Sequence, residues 1–342
     1  MTLRFGLALQ NDFPPGEDPV RRMAMLREQA RAAAESGIDS LWVLQHYLGS
    51  MPTLQPLPLL AALAADSGDL KLGTNMYILP LRHPVGIAEE FSTLDNISGG
   101  RAVAGFGMGY RENEFAAFGI PLEERVARFA ESIDIVRALW RGERVTRSGA
   151  HFSLDGERLS LPPVQPDGPP IFVGAGAHRA GIERAAKLGD AWIVPPHVTG
   201  DRLNRAVTMY RAARERFASG RAERFIVRRE LVLHPDRARA FEEGVSARSR
   251  LTAEYGKYNA PDRTADYAQL TDARVAVQKA RDAYIFSDPD GAVDHLHALE
   301  DQGVTDVVLR MQWFDLPQER MLETLRLFRD EVLPRLSSQH SA

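Results

Sequence analysis

Short runs of apolar and β-branched residues alternate along the chain with longer runs whose apolar positions recur about every three to four residues, as in buried strands and amphipathic helices. Strands are predicted at Leu3–Leu9, Ser40–Leu44, Lys71–Leu79, Arg101–Phe106, Ile171–Val173, Ala191–Val194, Phe225–Leu233 and Thr305–Arg310. Helices are predicted at Pro19–Glu35, Leu54–Ala65, Val85–Ile97, Glu123–Trp140, His178–Leu188, Leu203–Phe217 and Gln318–Val332. Because helical crossovers make consecutive strands parallel, and no dinucleotide-binding motif follows the first strand, the pattern predicts an α/β fold, a closed (β/α)8 TIM barrel.

We expect one barrel domain over residues 1–336, interrupted by two insertions. Residues 144–170 are Pro-rich and resemble a hairpin, whereas residues 244–283 are charged, contain aromatic residues and lie between the seventh and eighth strands. Loops after the strands of a barrel cover its active site, so the second insertion is either a lid or a solvated helical excursion. Residues 337–342 are expected to form a flexible tail.

Composition narrows the possible functions. The 342 residues are 44% hydrophobic and 26% charged, which is typical of a globular protein. A formal net charge of −4 argues against a nucleic-acid partner and a polybasic membrane anchor, and the lack of cysteine excludes disulfides and thiolate catalysis. The longest apolar run, Leu57–Ala65, is far shorter than the ~20 residues of a membrane span, and no secretory signal is recognisable. We therefore expect a soluble cytoplasmic protein.

The carboxyl ends of the predicted strands are where a parallel barrel places its chemistry. His46 follows the second strand, where an imidazole is either a general acid or base or an ordinary hydrogen-bonded loop residue. Two glycine-rich turns, Gly105–Gly109 and Gly174–Gly176, lead from strands toward helices, a context that suits either phosphate binding or a tight turn. Arg179 lies in the first turn of the helix after the second of them, where a cation is unfavourable unless an anion binds nearby.

Other reactive groups form no recognisable site. His295 and His297 are two residues apart on a predicted helix and point in different directions, so we expect no metal site. Glu112 and Glu114 are either a carboxylate pair or, more commonly, ion-paired loop residues. No Gly-x-Ser-x-Gly nucleophile motif and no His-Glu-x-x-His motif occurs.

Four stretches together resemble one family. They are GIDSLWVLQHY, KLGTNMYILPLRHPVGIAEEFSTLDNISGGRAVAGFGMGYRENEFAAFGIP, PPIFVGAGAH and AAKLGDAWIV. They are similar to the bacterial-luciferase-like family of flavin-dependent oxidoreductases over residue 3 to about residue 195, with a weaker similarity over Asp288–Pro334. Leu-Pro-x-x-His-Pro after the third strand and Ser-Gly-Gly-Arg before the fourth make this resemblance specific. The family fold is a (β/α)8 barrel, in agreement with the pattern above.

The resemblance implies roles for matching residues. His46 would be the catalytic residue beside the flavin ring. Asn75 and Met76 match a dipeptide that often forms a non-prolyl cis bond beneath the ring, and the turn Gly107–Tyr110 matches the segment lining the flavin tail. The implied cofactor-binding residues are Gln45, Asn75, Met76, Gly107, Met108, Tyr110, Ala175, Gly176, His178 and Arg179. The last four would bind the phosphate, which would account for the unusual position of Arg179.

Three departures from the family pattern bear on the cofactor. Gln45 replaces an acidic residue of the luciferases, and Met108 replaces an Arg that many relatives use for phosphate or ribityl contacts. Relatives that use the deazaflavin F420 tend to carry Gly-x-Gly-Glu after the fourth strand, whereas this chain has Tyr110 at the position of that Glu. The resemblance therefore favours FMN, with F420 as the alternative.

The resulting hypothesis is a monooxygenase that takes FMNH2 from a separate flavin reductase and oxygenates a small organic substrate with O2 through a C4a-peroxyflavin. F420-dependent hydride transfer and a non-catalytic flavin-binding barrel are the alternatives. By analogy with the family, and because Leu57–Ala65 is apolar nearly all round, we expect a homodimer. A pocket with aromatic walls is expected, formed by residues that include Phe13, Tyr47, Tyr77, Tyr110, Trp192 and Trp313.

Overall fold

The computed structural model describes residues 3–217, 223–256, 283–314 and 316–337. Eight parallel strands close into a barrel in the order β1, β2, β3, β5, β8, β9, β10 and β12, with β12 pairing back onto β1. Their bounds are β1 Arg4–Ala8, β2 Ser40–Val43, β3 Lys71–Thr74, β5 Ala102–Gly107, β8 Ile171–Gly174, β9 Ala191–Val194, β10 Phe225–Leu233 and β12 Asp306–Arg310. The predicted TIM barrel is confirmed.

Helices connect these strands around the outside of the barrel. They are α1 Pro19–Ala34, α2 Pro56–Leu63, α3 Pro84–Ile97, α4 Glu112–Ala117, α5 Arg125–Trp140, α6 Arg179–Leu188, α7 Gly200–Phe217, α8 Arg237–Gly256, α9 Pro289–Asp301, α10 Gln318–Leu327 and α11 Leu333–Ser337. Proline at the first helical position marks several of the starts, because its fixed φ suits a helix and its missing N–H costs nothing there. Within the described ranges, no helix has both the length and the apolar character that crossing a membrane requires.

Several details differ from the sequence prediction. The third predicted strand is divided into β3 and the short β4 Tyr77–Ile78 by a cis peptide bond between Asn75 and Met76. A short strand that was not predicted, β11 Ile285–Ser287, pairs with the carboxyl end of β10. The helices α4, α8 and α9 were not predicted either.

The structure describes the first predicted insertion fully and the second only in part. The first contains an antiparallel hairpin of β6 Val145–Ser148 and β7 Ser153–Glu157, as its sequence suggested. The second, predicted from Gly244, begins inside α8, where this glycine packs against Phe286. Residues 257–282 of the predicted lid, and residues 338–342 of the predicted tail, lie outside the described residues.

Successive side chains of each barrel strand point alternately to the helices outside and to the barrel interior. On β10, Val227 and Leu231 face outward into the main core between strands and helices, whereas Ile226 faces the barrel interior. The interior cluster consists of Trp42, Val103, Phe172, Ala191, Ile193, Ile226 and Val308. This cluster fills the barrel below its carboxyl-terminal end, so inward-facing residues farther along each strand line an opening above an apolar floor.

The apolar helix α2 is covered within a single chain. Leu57, Leu59, Leu60 and Leu63 are all buried, whereas Pro58 is exposed. The argument that this helix needs a second subunit to cover it was therefore wrong. The homodimer stays a prediction by analogy.

Two glycines of β5 allow close contact with the neighbouring strand. A Cβ atom on Gly105 would lie 1.7 Å from the Thr74 carbonyl oxygen, and one on Gly107 would lie 2.9 Å from the Met76 Cβ. Neither position has room for a side chain, so these glycines serve the packing of β5 against the Asn75–Met76 segment.

Replacing Gly105 with Ala is therefore expected to lower the free energy of unfolding by about 3 kcal/mol, since the added methyl group meets backbone that cannot move aside. Gly86→Ala is the matched control. Gly86 lies in α3 with open space around it, and Ala favours a helix over Gly by about 1 kcal/mol. Urea unfolding of both variants checks this. A Gly105→Ala variant as stable as the wild type would contradict the packing argument.

Candidate active site

A cavity of about 380 Å³ opens at the carboxyl ends of the barrel strands, a volume within the range of small-ligand sites. Its wall is formed by the ends of β2, β5, β8, β9, β10 and β12 and by the Asn75–Met76 segment. All the predicted site residues except Arg179 line it: Gln45, His46, Asn75, Met76, Gly107, Met108, Tyr110, Ala175, Gly176 and His178. The barrel topology thus brings together residues that lie far apart in the sequence.

His46 is held at the cavity wall by a buried carboxylate. Its Nδ1 lies 3.2 Å from Glu114 Oε1, and the Glu114 side chain is fully buried in α4. The same oxygen accepts a hydrogen bond of 2.8 Å from the Tyr47 backbone N–H, and Arg111 Nη1 lies 3.8 Å from it. Glu114 therefore fixes both the imidazole and the loop that carries it.

Burial lowers the pKa of His46 from its ordinary value near 6.5, and Arg111 lowers it further, while Glu114 and Asp12 act in the opposite direction. The imidazole is consequently neutral at neutral pH. Its contact with Glu114 favours the tautomer with the proton on Nδ1, so Nε2 carries the lone pair. This arrangement suits a group that accepts a proton at Nε2.

The cis bond between Asn75 and Met76, implied by the resemblance, is present. Met76 lies in a space that two glycines provide, since a Cβ on Gly107 or on Gly174 would come within 3 Å of its side chain. The Asn75 side-chain nitrogen is buried and has no hydrogen-bond partner among the described residues. A buried amide donor without a partner is costly, so this nitrogen is suited to an acceptor atom of a ligand.

Gln45 and Tyr110 flank His46 in different ways. The Gln45 amide accepts from the Ile78 N–H at 2.8 Å and donates to the Tyr47 hydroxyl at 2.8 Å, so it ties the loop after β2 to β4. The Tyr110 ring lies edge-on to the His46 ring, with their centroids 6.2 Å apart. Tyr110 therefore presents a phenol at the cavity wall, at the position where a carboxylate is expected in F420-dependent relatives.

The start of α6 faces the cavity, but Arg179 does not. Gly176 and His178 line the cavity, and His178 caps the helix by accepting a hydrogen bond from the Gly181 N–H. The Arg179 side chain is 79% exposed, and its Nε lies 3.2 Å from Glu183 Oε1. The role in phosphate binding expected for Arg179 is therefore not supported by its position, because Glu183 on the next turn already pairs with its charge.

Sequence reasoning missed the strongest electrostatic feature of the cavity. Five arginines line it: Arg125, Arg202, Arg228, Arg248 and Arg310. None of the lining residues that the structure describes is an Asp or Glu, although the chain has a net charge of −4. The alternation along the strands could have revealed two of them, because Arg228 and Arg310 each lie two positions after an inward-facing apolar residue, Ile226 and Val308.

The expected aromatic wall was wrong. Of the six aromatic residues proposed for it, Tyr110 alone lines the cavity. The others pack elsewhere, and they are Phe13, Tyr47, Tyr77, Trp192 and Trp313. Trp192, for example, faces outward from β9 and packs against Tyr210 and Phe225. The wall of the cavity thus carries five arginines and one of the six expected aromatic side chains.

His46 is expected to titrate below its ordinary pKa of about 6.5 in an NMR experiment that follows its ring protons. Glu114→Gln removes the carboxylate that favours the imidazolium, so it should lower the midpoint further. His83 is the control, since burial and Arg128 also lower its pKa and its shift has no contribution from Glu114. A His46 midpoint at or above 6.5, or a rise in Glu114→Gln, would contradict this description.

Comparison with known sequences gives two kinds of relative. An F420-dependent glucose-6-phosphate dehydrogenase of Kineococcus radiotolerans is 32% identical over 345 residues, covering 96% of this chain and 95% of the relative. A 4-hydroxyprotoasukamycin monooxygenase of Streptomyces nodosus subsp. asukaensis is 33% identical over 199 residues, covering 57% of this chain and 54% of the relative. Sequence similarity therefore extends to both F420-dependent dehydrogenases and monooxygenases.

Solved structures agree on the fold. Monooxygenase RslO1 from Streptomyces bottropensis matches with a TM-score of 0.87 at 25% identity, covering 98% of this chain and all of that one. The oxygenating constituent of 3,6-diketocamphane monooxygenase from Pseudomonas putida, in complex with FMN, matches with a TM-score of 0.80 at 20% identity, covering 98% and 99%. The family model for luciferase-like monooxygenases matches residues 3–306. The chain belongs to the luciferase-like monooxygenase family and is an oxidoreductase.

Proposed function

We propose that this protein is a monooxygenase that binds reduced FMN and uses O2 to oxygenate a small organic substrate. The observation that carries the choice of FMN over F420 is Tyr110, which lines the cavity beside His46 where F420-dependent relatives are expected to place a carboxylate. The similarity to RslO1 over the full length of both chains supports the same choice.

The residues of the cavity fit the parts of FMN. The buried Asn75 amide nitrogen offers a donor to the polar edge of the ring, next to the Asn75–Met76 bond. The start of α6 offers backbone N–H groups and the positive end of a helix dipole to the phosphate. Arg125 at the start of α5 and Arg202 in the first turn of α7 add positive charge from the helices that follow β5 and β9, on either side of β8. When bound, reduced FMN supplies the electrons that activate O2.

The protein contributes proton transfer and protection from water. His46 Nε2 accepts or returns the proton that moves during oxygenation, and Glu114 holds the imidazole in the tautomer whose Nε2 carries the lone pair. The His46 side chain is 16% exposed, so the proton stays largely screened from bulk solvent. Tyr110 covers one edge of the imidazole and helps to keep water from it.

The proposal includes two further components. A separate flavin reductase supplies the reduced FMN, and the reaction takes place in the cytoplasm, in a homodimer by analogy with the family. Neither a nucleic acid nor a membrane is part of the proposal.

F420-dependent hydride transfer is the second candidate. It is favoured by full-length relatives such as the dehydrogenase of Kineococcus radiotolerans, and five arginines suit a strongly anionic cofactor as well. Hydride transfer needs no O2, and His46 would then exchange a proton with the substrate.

Anaerobic titration separates the two candidates. The protein should bind FMNH2 more tightly than reduced F420, because Tyr110 replaces the expected carboxylate and the α6 phosphate site matches FMN. Anaerobic isothermal titration calorimetry with each reduced cofactor gives the two dissociation constants. Tight binding of F420 together with weak binding of FMNH2 would overturn the monooxygenase proposal in favour of hydride transfer.

Arg125→Gln should weaken FMN binding about tenfold and leave riboflavin binding unchanged, because it removes a charge-assisted contact to the phosphate alone. Arg179→Gln is the matched control, since its side chain is exposed and paired with Glu183. Flavin fluorescence quenching measures both ligands. Loss of FMN affinity in Arg179→Gln, with none in Arg125→Gln, would restore Arg179 as the phosphate ligand.

A further inference from the structure

The five cavity arginines fall into two groups by their place in the barrel. Arg125 and Arg202 follow β5 and β9, the strands on either side of β8, and so belong with the start of α6. Arg228, Arg248 and Arg310 come from β10, from α8 after it and from the end of β12. In the closed order of eight strands, β10 lies opposite β3, and β12 lies opposite β5. We call Arg228, Arg248 and Arg310 the distal arginine group.

Buried acceptors hold the distal arginine group in place. Glu230 is fully buried, accepts a hydrogen bond of 3.2 Å from Arg228 Nη2, and lies 3.8 Å from Arg248 Nε. Its register partner across the strand pair is Arg310, whose side chain is 4% exposed and donates to the Gln10 amide oxygen. The guanidinium of Arg248 also lies over the Tyr284 ring, 4.2 Å from its centroid. The three cations are thus fixed before any ligand arrives.

Glu230 is ionised beside this group. Burial by itself raises the pKa of Glu230, but Arg228, Arg248 and Arg310 outweigh that effect and keep the pKa below its usual value. The carboxylate is therefore ionised. Glu230 is not among the residues that line the cavity, whereas the three arginines are. Planar guanidinium groups match the oxygens of a carboxylate, sulfonate or phosphate in pairs.

We propose that Arg228, Arg248 and Arg310 form an oxyanion subsite that binds the carboxylate, sulfonate or phosphate of the organic substrate, separately from the cofactor phosphate at α6. A substrate held there by its anionic end extends across the barrel toward Asn75 and His46. The substrate class is thus an organic anion. This inference rests on the proposed function for its reaction, but anion binding itself does not depend on it.

Isothermal titration calorimetry on FMN-saturated protein tests the subsite, because saturation fills the phosphate site at α6. The probes are inorganic sulfate, acetate, butanoate and octanoate, with 1-butanol and 1-octanol as neutral counterparts. At least one anion should bind, and any carboxylate that binds should do so about tenfold or more tightly than the alcohol of the same length. Arg228→Gln should remove this preference and leave alcohol and FMN binding unchanged.

Two further variants separate a local loss of anion binding from a change in overall charge. Arg248→Gln should also weaken anion binding, whereas Arg239→Gln, which changes the same charge on an exposed part of α8, should not. Circular dichroism checks that each variant is folded. The proposal is overturned if none of the anions binds the wild type, or if Arg228→Gln and Arg248→Gln bind anions as the wild type does. If FMN does not bind, that result contradicts the proposed cofactor and leaves the subsite untouched. The same titration on cofactor-free protein, with the same variants, then tests anion binding at the subsite.

Discussion

Two fully buried carboxylates, Glu114 and Glu230, hold the groups that give the cavity its chemistry. Glu114 positions His46 and the loop after β2, and Glu230 positions Arg228 and Arg248. Burying a carboxylate is unfavourable unless it is paired and hydrogen-bonded. Glu230 therefore depends on Arg228 and Arg248, and Glu114 depends on Arg111 and on the hydrogen bond from the Tyr47 N–H. Neither carboxylate is among the residues that line the cavity, so groups outside the lining fix its reactive surface.

The barrel makes this arrangement possible by bringing the strand ends together. The apolar cluster of Trp42, Phe172, Ile226 and Val308 fills the interior below the cavity. The next inward-facing position along each strand borders the cavity and can therefore carry a polar side chain. On the opposite side, Gly105 and Gly107 let β5 lie against Thr74 and Met76, which places Asn75 at the wall. The cavity thus has a hydrogen-bonding side near β3 and a cationic side at β10 and β12. This asymmetry suits a cofactor ring on one side and an anionic substrate on the other.

Much of the fold could be predicted from the sequence, because strand and helix periods are local properties. All eight barrel strands were predicted, and the residues after β2, β5 and β8 were placed correctly at the cavity. Arg179 was misleading, since the sequence does not show that its side chain turns toward Glu183. Glu114 was noticed but not assigned to His46, because 68 residues separate the two and their contact depends on the barrel closing. The contact between Arg248 and Glu230 could not be predicted from the sequence either, because it depends on how α8 packs against β10.

The central claim is that this cavity binds reduced FMN and controls its reaction with O2. Rapid mixing of the anaerobic FMNH2 complex with O2, followed by absorbance, tests it most directly. The account predicts that oxidised FMN appears after a delay relative to free FMNH2 and that hydrogen peroxide is released correspondingly late, because the cavity excludes water. Reoxidation of the bound cofactor at the rate of free FMNH2, with immediate release of hydrogen peroxide, would contradict it.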